Sequence, residues 1–251
     1  MSKIMSIGFS LKYYYEYDLS ISVNLEIDKF PHFLITGSSG SGKSYCLLFL
    51  LGKLLQADPD IEVYFCDFKN SNDFEFLKHT SHYYAGRDCY HGVMDYYKKF
   101  SDVRENGCSD KMHILIFDEY PAFINYMQMQ DKINKSKCAN EILGAVSEIL
   151  MLGRGISFGV WIVTQRADSA LFSNGARDNF MVVIGLGNLS KEQRTMLFSG
   201  YELPDIRFGV GEGLVLADGL ELTMIKYPMI SDTSDWKTHI LRILNCSADD
   251  Q

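Results

Sequence analysis

Phe33-Leu34-Ile35-Thr36-Gly37-Ser38-Ser39-Gly40-Ser41-Gly42-Lys43-Ser44 is the stretch that decides how this chain reads. Its first four residues form an apolar run of buried-strand type, and a helix is expected over 43–56. Between them lies G-x-x-x-x-G-K-S with every defined position filled, in the strand–turn–helix setting where that pattern has physical meaning. Glycines at 37, 40 and 42 let the backbone curl closely enough for successive N–H groups to face phosphate oxygens. The helix adds the positive end of its dipole. Lys43 is then placed to reach the β- and γ-phosphates of ATP, and the Ser44 hydroxyl to hold Mg²⁺. The candidate nucleotide-binding residues are Gly37, Ser38, Ser39, Gly40, Ser41, Gly42, Lys43, Ser44 and Tyr45.

A second buried strand, His113-Ile114-Leu115-Ile116-Phe117, ends in Asp118-Glu119. At that position Asp118 belongs to the Mg²⁺ shell, directly or through water. Glu119, one residue on, suits a general base that polarises the attacking water. A third strand, 159–164, ends at Gln165, whose neutral amide is expected beside the γ-phosphate if this strand lies between the other two. Asp67-Phe68-Lys69 closes a fourth strand, 61–66, with polar groups. In open α/β sheets, ligands bind where strand C-termini converge.

Around these segments strand and helix alternate: helix 89–103, helix 139–152, strand 181–185, helix 191–199 and a strand pair at 213–217 and 221–226. Such alternation implies an α/β fold, a mostly parallel sheet with helices on both faces. Alternating apolar residues Ile21, Val23, Leu25 and Ile27 suggest a small N-terminal β hairpin within 6–28. The expected division is an N-terminal β extension at 1–28, an ATPase domain at 29–230 and a C-terminal helix or tail at 231–251. Segments 105–110, 125–137 and 167–177 read as loops.

Composition narrows the function classes. With 251 residues, 47% of them hydrophobic, the chain has enough apolar material for a substantial core. A net charge of −8 argues against a generally basic surface, so any nucleic acid must meet a local basic patch. The 6 cysteines lack C-x-x-C spacing, and Cys46 and Cys66 sit in apolar segments as small core residues. No histidine pair has metal-ligand spacing. The longest apolar stretch, 45–55, is too short to span a bilayer, and the first residues lack a signal-peptide h-region. A cytoplasmic protein, able to be recruited to a membrane by a partner, is expected.

Taken together, these residues resemble the FtsK/SpoIIIE-type DNA translocases of the FtsK–HerA class. Phe30-Pro31-His32-Phe33 resembles that family's entry to the phosphate loop, and Asp67-Phe68-Lys69 its Asp-Pro-Lys. Gly153-Arg154-Gly155-Ile156 followed by Val163-Thr164-Gln165-Arg166 is similar to its arginine-and-glycine helix end and its Ala-Thr-Gln-Arg-Pro. Phe208-Gly209-Val210-Gly211-Glu212-Gly213 resembles the late glycine-rich strand. The likeness covers about 25–218. It implies a RecA-like fold, a homo-hexameric ring and ATP-driven movement along double-stranded DNA. Phe68 and Ala167 replace prolines of the family pattern. The family's arginine-finger position falls near Val183, so Arg154, Arg177 and Arg207 are the alternative donors, with Arg154 and Arg177 preferred. Among family members the chain looks most like the coupling ATPases of Gram-positive conjugative elements, which implies a relaxase or membrane-channel partner. Viral genome packaging and an ATP-dependent switch or protein-secretion ATPase are the alternatives.

Lys132, Lys135 and Lys137 punctuate the segment after Asp118-Glu119 and are the candidate DNA contacts, repeated around a ring channel. Lys69, Lys98, Lys99 and Arg104 form a second set. Tyr83, Tyr84, Tyr90, Tyr96 and Tyr97 read as packing residues, and Met127 and Met129 as gap-fillers or subunit contacts.

Overall fold

The computed structural model describes residues 3–107, 109–166 and 178–246. The chain runs through β1 (Ile4–Ser10), α1 (Leu11–Tyr17) and β2 (Ser22–Glu26). β3 (Phe33–Gly37) then leads into α2 (Lys43–Ala57). Next come β4 (Glu62–Asp67), β5 (Tyr83–Ala85), α3 (Cys89–Asn106) and β6 (His113–Asp118). These are followed by α4 (Tyr120–Asn134), α5 (Cys138–Leu152) and β7 (Phe158–Thr164). The remaining elements are β8 (Val182–Leu186), α6 (Lys191–Leu197), β9 (Glu212–Ala217), β10 (Thr223–Lys226) and α7 (Thr233–Cys246).

Among the described residues the strands form one sheet in the order β2-β1-β10-β9-β8-β3-β7-β6-β4-β5. From β8 to β5 neighbours are parallel; from β8 to β2 they are antiparallel. β7 lies between β3 and β6, as the position of Gln165 requires. The central strands are apolar on both faces because helices cover both. Phe33, Ile35, Ile114, Ile116, Trp161 and Val163 pack with α2. Their alternates Leu34, Leu115, Phe117, Val160 and Ile162 pack with α3, α4 and α5. Each such fully buried side chain contributes about 1.5–3 kcal/mol.

One expectation is corrected and others gain detail. The segment 125–137 is mostly helix: α4 runs to Asn134 and a short turn joins it to α5. Its signal was the spacing of Tyr120, Phe123, Ile124 and Met127, all buried, which places an apolar stripe on one face. The N-terminal strands pair antiparallel as expected, and α1 joins them. β1 also pairs with β10, Phe9 opposite Lys226, so the hairpin extends the main sheet. Met127 is in the core, whereas Met129 is 63% exposed. Tyr96 is fully buried and donates its hydroxyl hydrogen between the Gly159 and His113 carbonyls, at 2.7 and 3.0 Å. The segment 167–177 lies outside the described residues.

Candidate nucleotide site

The phosphate loop is braced from a distant part of the chain. Gly42 precedes α2 with φ 96°, a left-handed conformation that favours glycine. A Cβ there would sit 3.0 Å from the Gly211 nitrogen, so the loop before β9 requires a glycine at 42. The Gly211 N–H donates to the Ser41 carbonyl at 3.0 Å. The late glycine-rich segment thus supports the cradle directly.

Lys43 is buried, and its Nζ donates to the carbonyls of Gly37 at 2.7 Å and Ser38 at 3.1 Å. Burial lowers its pKa, while the charges of Glu119 and Asp118 oppose that shift. Asp118, at the end of β6, is 5% exposed and its pKa is raised to about 7. Burial is the largest cause, followed by Glu119 and Asp67; Lys69 and Lys43 pull the other way. Glu119 adopts φ 60°, ψ 40°, strained for a residue with a Cβ. Its N–H donates to the Val163 carbonyl at 3.0 Å, prolonging the β6–β7 ladder by one residue. Gln165 donates from Nε2 to Glu119 Oε1 at 3.0 Å.

A cavity of about 370 Å³ gathers these groups. Of the residues expected from sequence, Ser39, Gly40, Gly42, Lys43, Ser44, Tyr45, Asp118, Glu119 and Gln165 line it. Gly37 and Ser38 hold Lys43 from behind, and Ser41 is buried beneath the loop. The donor set fits Mg²⁺ held jointly with phosphate oxygens: one hydroxyl and one buried carboxylate short of compensating charge face the same space. Among the described residues no cluster of three His, Cys, Asp or Glu side chains could bind a metal without such help.

Other residues fall elsewhere. Lys69 lines the cavity rather than a nucleic-acid face, because Asp67 turns the chain: its carboxylate accepts from the N–H groups of Asn70 and Ser71 at 2.8 and 3.1 Å. Phe68, where the family pattern has proline, packs on Phe123 and Tyr126 of α4. Arg154 is exposed and precedes β7, at the end of that strand opposite Gln165 and roughly 20 Å of strand away. Its charge acts on His32, before β3, at that same far end. Arg207 is exposed in the segment before β9, and Arg177 lies outside the described residues. Lys132 is in the last turn of α4, Lys135 ends that helix, and Lys137 precedes α5. Sequence reasoning missed Thr233 and Lys237 of α7, which also line the cavity. No local signal places that helix; its register is set by Trp236, whose Nε1 donates to the Leu48 carbonyl at 3.0 Å.

No protein-family model matches the chain. It is 28% identical over 196 residues to the FtsK domain-containing protein YdcQ of Bacillus subtilis (strain 168), a match covering 72% of this chain and 39% of that protein. The chain therefore corresponds to well under half the length of this relative. In fold it is similar to the pCW3 conjugation coupling protein TcpA solved with ATPγS, with TM-score 0.73 and 20% identity over 97% of this chain and 71% of that one. It is also similar to the cytoplasmic domain of the Thermomonospora curvata type VII secretion ATPase EccC, with TM-score 0.65 and 18% identity over 96% and 31% of the two chains. No helix among the described residues is long and apolar enough to cross a membrane. The FtsK-type resemblance read from sequence thus holds: the chain is similar in sequence to an FtsK-domain protein and has the RecA-like phosphate-loop fold of a conjugation coupling protein.

Proposed function

We propose that the chain is a Mg²⁺-dependent ATPase that drives double-stranded DNA through a homo-hexameric ring, in the manner of a conjugative coupling motor. The observation that carries the reading is the convergence of Lys43, Asp118, Glu119 and Gln165 on one cavity, at the C-terminal ends of the adjacent strands β3, β7 and β6. Backbone N–H groups of residues 39–44 and the Lys43 ammonium bind the triphosphate. Ser44 and Asp118 would hold Mg²⁺, which when bound would supply charge neutralisation. Glu119, steadied by Gln165, orients water for in-line attack at the γ-phosphorus and takes its proton. The γ-phosphate's bond to the leaving ADP oxygen breaks, releasing ADP and phosphate. Arg154, at the end of β7 remote from Gln165, is in this reading a candidate donor to a neighbouring copy's site across the ring, with Arg177 as the other donor to test.

The DNA assignment is supported by the fold shared with a protein named for conjugation coupling and by Lys132, Lys135 and Lys137 around the α4–α5 junction. In this reading a relaxase or membrane channel is the partner, the motor works in the cytoplasm, and 29–230 is the motor domain. A protein-secretion role is the second reading. Met129 and Ile133, 63% and 70% exposed on α4, give that lysine-bearing region an apolar face suited to polypeptide. Turnover of ATP, measured with duplex DNA and with polypeptide alongside the mass in solution, separates the two. The motor reading expects stimulation by duplex DNA that is lost when Lys132, Lys135 and Lys137 are changed to Glu. Stimulation by polypeptide and not by DNA overturns it.

A further inference from the structure

A separate group of polar side chains sits at the other end of β6 from Asp118, roughly 17 Å of strand away. Glu62 and His113 are register partners on the parallel strands β4 and β6, so their side chains leave the sheet on the same face. His113 Nδ1 lies 2.6 Å from Glu62 Oε2, and Ser109 Oγ lies 2.8 Å from His113 Nε2. Serine, imidazole and carboxylate are thus linked in that order through the two ring nitrogens. All three lie outside the lining of the nucleotide cavity.

The imidazole is fixed in place by its surroundings. His113 is buried and stacks on the Phe158 ring, with centroids 4.4 Å apart. Burial pushes the Glu62 pKa up, but hydrogen bonds from His113 and His82 outweigh it and hold the group below the usual carboxylate range. His82 takes the other carboxylate oxygen, Nε2 to Oε1 at 3.0 Å. A carboxylate beside Nδ1 keeps the proton on that nitrogen and leaves Nε2 to accept from the Ser109 hydroxyl. Ser109 itself is half-buried, on the turn between α3 and β6, with Asp110 and Lys111 exposed beside it. The Lys111 N–H donates to Ser109 Oγ at 3.2 Å, so a backbone donor already stands at the serine oxygen. A buried base behind an accessible hydroxyl is the arrangement that activates a serine.

We propose that Ser109 is a nucleophile activated by His113 and that the chain hydrolyses small carboxylic esters at this second site. Ser109 Oγ adds to the ester carbonyl carbon while its proton passes to His113 Nε2. The ester C–O bond then breaks, and the leaving oxygen takes that proton from Nε2 and departs as the alcohol, leaving acyl-Ser109. Water gives a proton to Nε2 as it attacks the acyl carbon; the acid departs and the proton returns to Ser109 Oγ. Glu62 touches no reacting atom and is a positioning residue, holding the tautomer and direction of the ring. The exposed turn around Ser109 suits small acyl groups. This activity is independent of the ATPase reading, since the two sites share no residue.

Treatment of the full chain with a fluorophosphonate probe, mapped by mass spectrometry, and steady-state hydrolysis of p-nitrophenyl acetate test it. The expected result is probe on Ser109 and sustained release of p-nitrophenol, both lost in Ser109→Ala. His113→Gln should slow both about 100-fold or more, because it deletes the general base. Glu62→Gln should lower kcat about tenfold or more with KM kept, as a residue that orients the base requires. Ser109 lies on an exposed turn, so its variant keeps the fold and decides the question even where the buried variants unfold. A wild-type chain with no probe on Ser109, or p-nitrophenol release that survives in Ser109→Ala, overturns the inference. Undiminished labelling of Ser109 in a folded His113→Gln chain overturns it as well.

Discussion

Gln165 Nε2 and Glu119 Oε1 lie 3.0 Å apart, a contact that joins the ends of two neighbouring strands. It fixes one carboxylate oxygen of a residue that lines the cavity. Glu119 is already held by backbone, with its N–H on Val163 and a left-handed φ that pins its direction.

Glu119→Gln should lower the rate of phosphate release at least about 100-fold while ATP affinity stays within a small factor. Gln165→Ala should cost about tenfold, because the proposed base survives and only its orientation loosens. Single-turnover phosphate release beside equilibrium nucleotide binding measures both. Unchanged turnover in Glu119→Gln would remove the residue from the chemistry.

Lys43→Ala should abolish measurable triphosphate binding, since it deletes the ammonium group hydrogen-bonded within the cradle. Lys69→Ala should be milder, weakening ATP more than ADP by about fivefold, because Lys69 stands on the Asp118 side, where the proposed mechanism puts the γ-phosphate. Titration calorimetry with both nucleotides gives the comparison. Equal effects on ADP and ATP would place Lys69 away from the γ-phosphate.

His32 makes a pH prediction. It is fully buried, its Nδ1 accepts the Val160 N–H at 3.1 Å, and burial, helped by the Arg154 charge, lowers its pKa to about 4. In the unfolded chain the ring protonates near pH 6.5. Between roughly pH 6.5 and 4 the unfolded state binds more protons, so stability falls as pH falls, by ~3 kcal/mol across that window. His32→Asn keeps an acceptor for Val160 without a titrating ring. Its urea midpoint should therefore vary less between pH 7 and 4.5 than that of the wild type; parallel curves would refute the assignment.

Gly52 and Trp236 couple the C-terminal helix to the site. A Cβ on Gly52 would lie 2.4 Å from the indole ring, whose plane stacks on Phe49. Gly52→Val should therefore displace α7, expose it to limited proteolysis and, through the loss of Thr233 and Lys237 from the cavity wall, weaken ATP by about threefold or more. Trp236→Ala should produce the same cleavage pattern. Intact α7 in both variants would show that this contact does not hold the helix.

The most legible parts were those with local grammar. The phosphate loop, the apolar runs of β3, β6 and β7, and the acidic pair after β6 each declare themselves within about ten residues. The α4 stripe of Tyr120, Phe123, Ile124 and Met127 was also present, but Asn, Gln and Lys residues across 125–137 masked it. β5 is 3 residues long, too short to show alternation. The docking of α7 and the bracing of Ser41 by Gly211 join positions more than 150 residues apart in sequence, beyond the reach of any period or motif.

The place of β1 in the sheet has a consequence for synthesis. Its inner neighbour, β10, lies more than 200 residues downstream, so of its two partners in the sheet β2 is made early and β10 late. At typical elongation rates it waits roughly 10–40 s for that partner. During this interval one rim of the nascent hairpin remains open to other growing chains, and the parallel half of the sheet has already emerged before the wing can close.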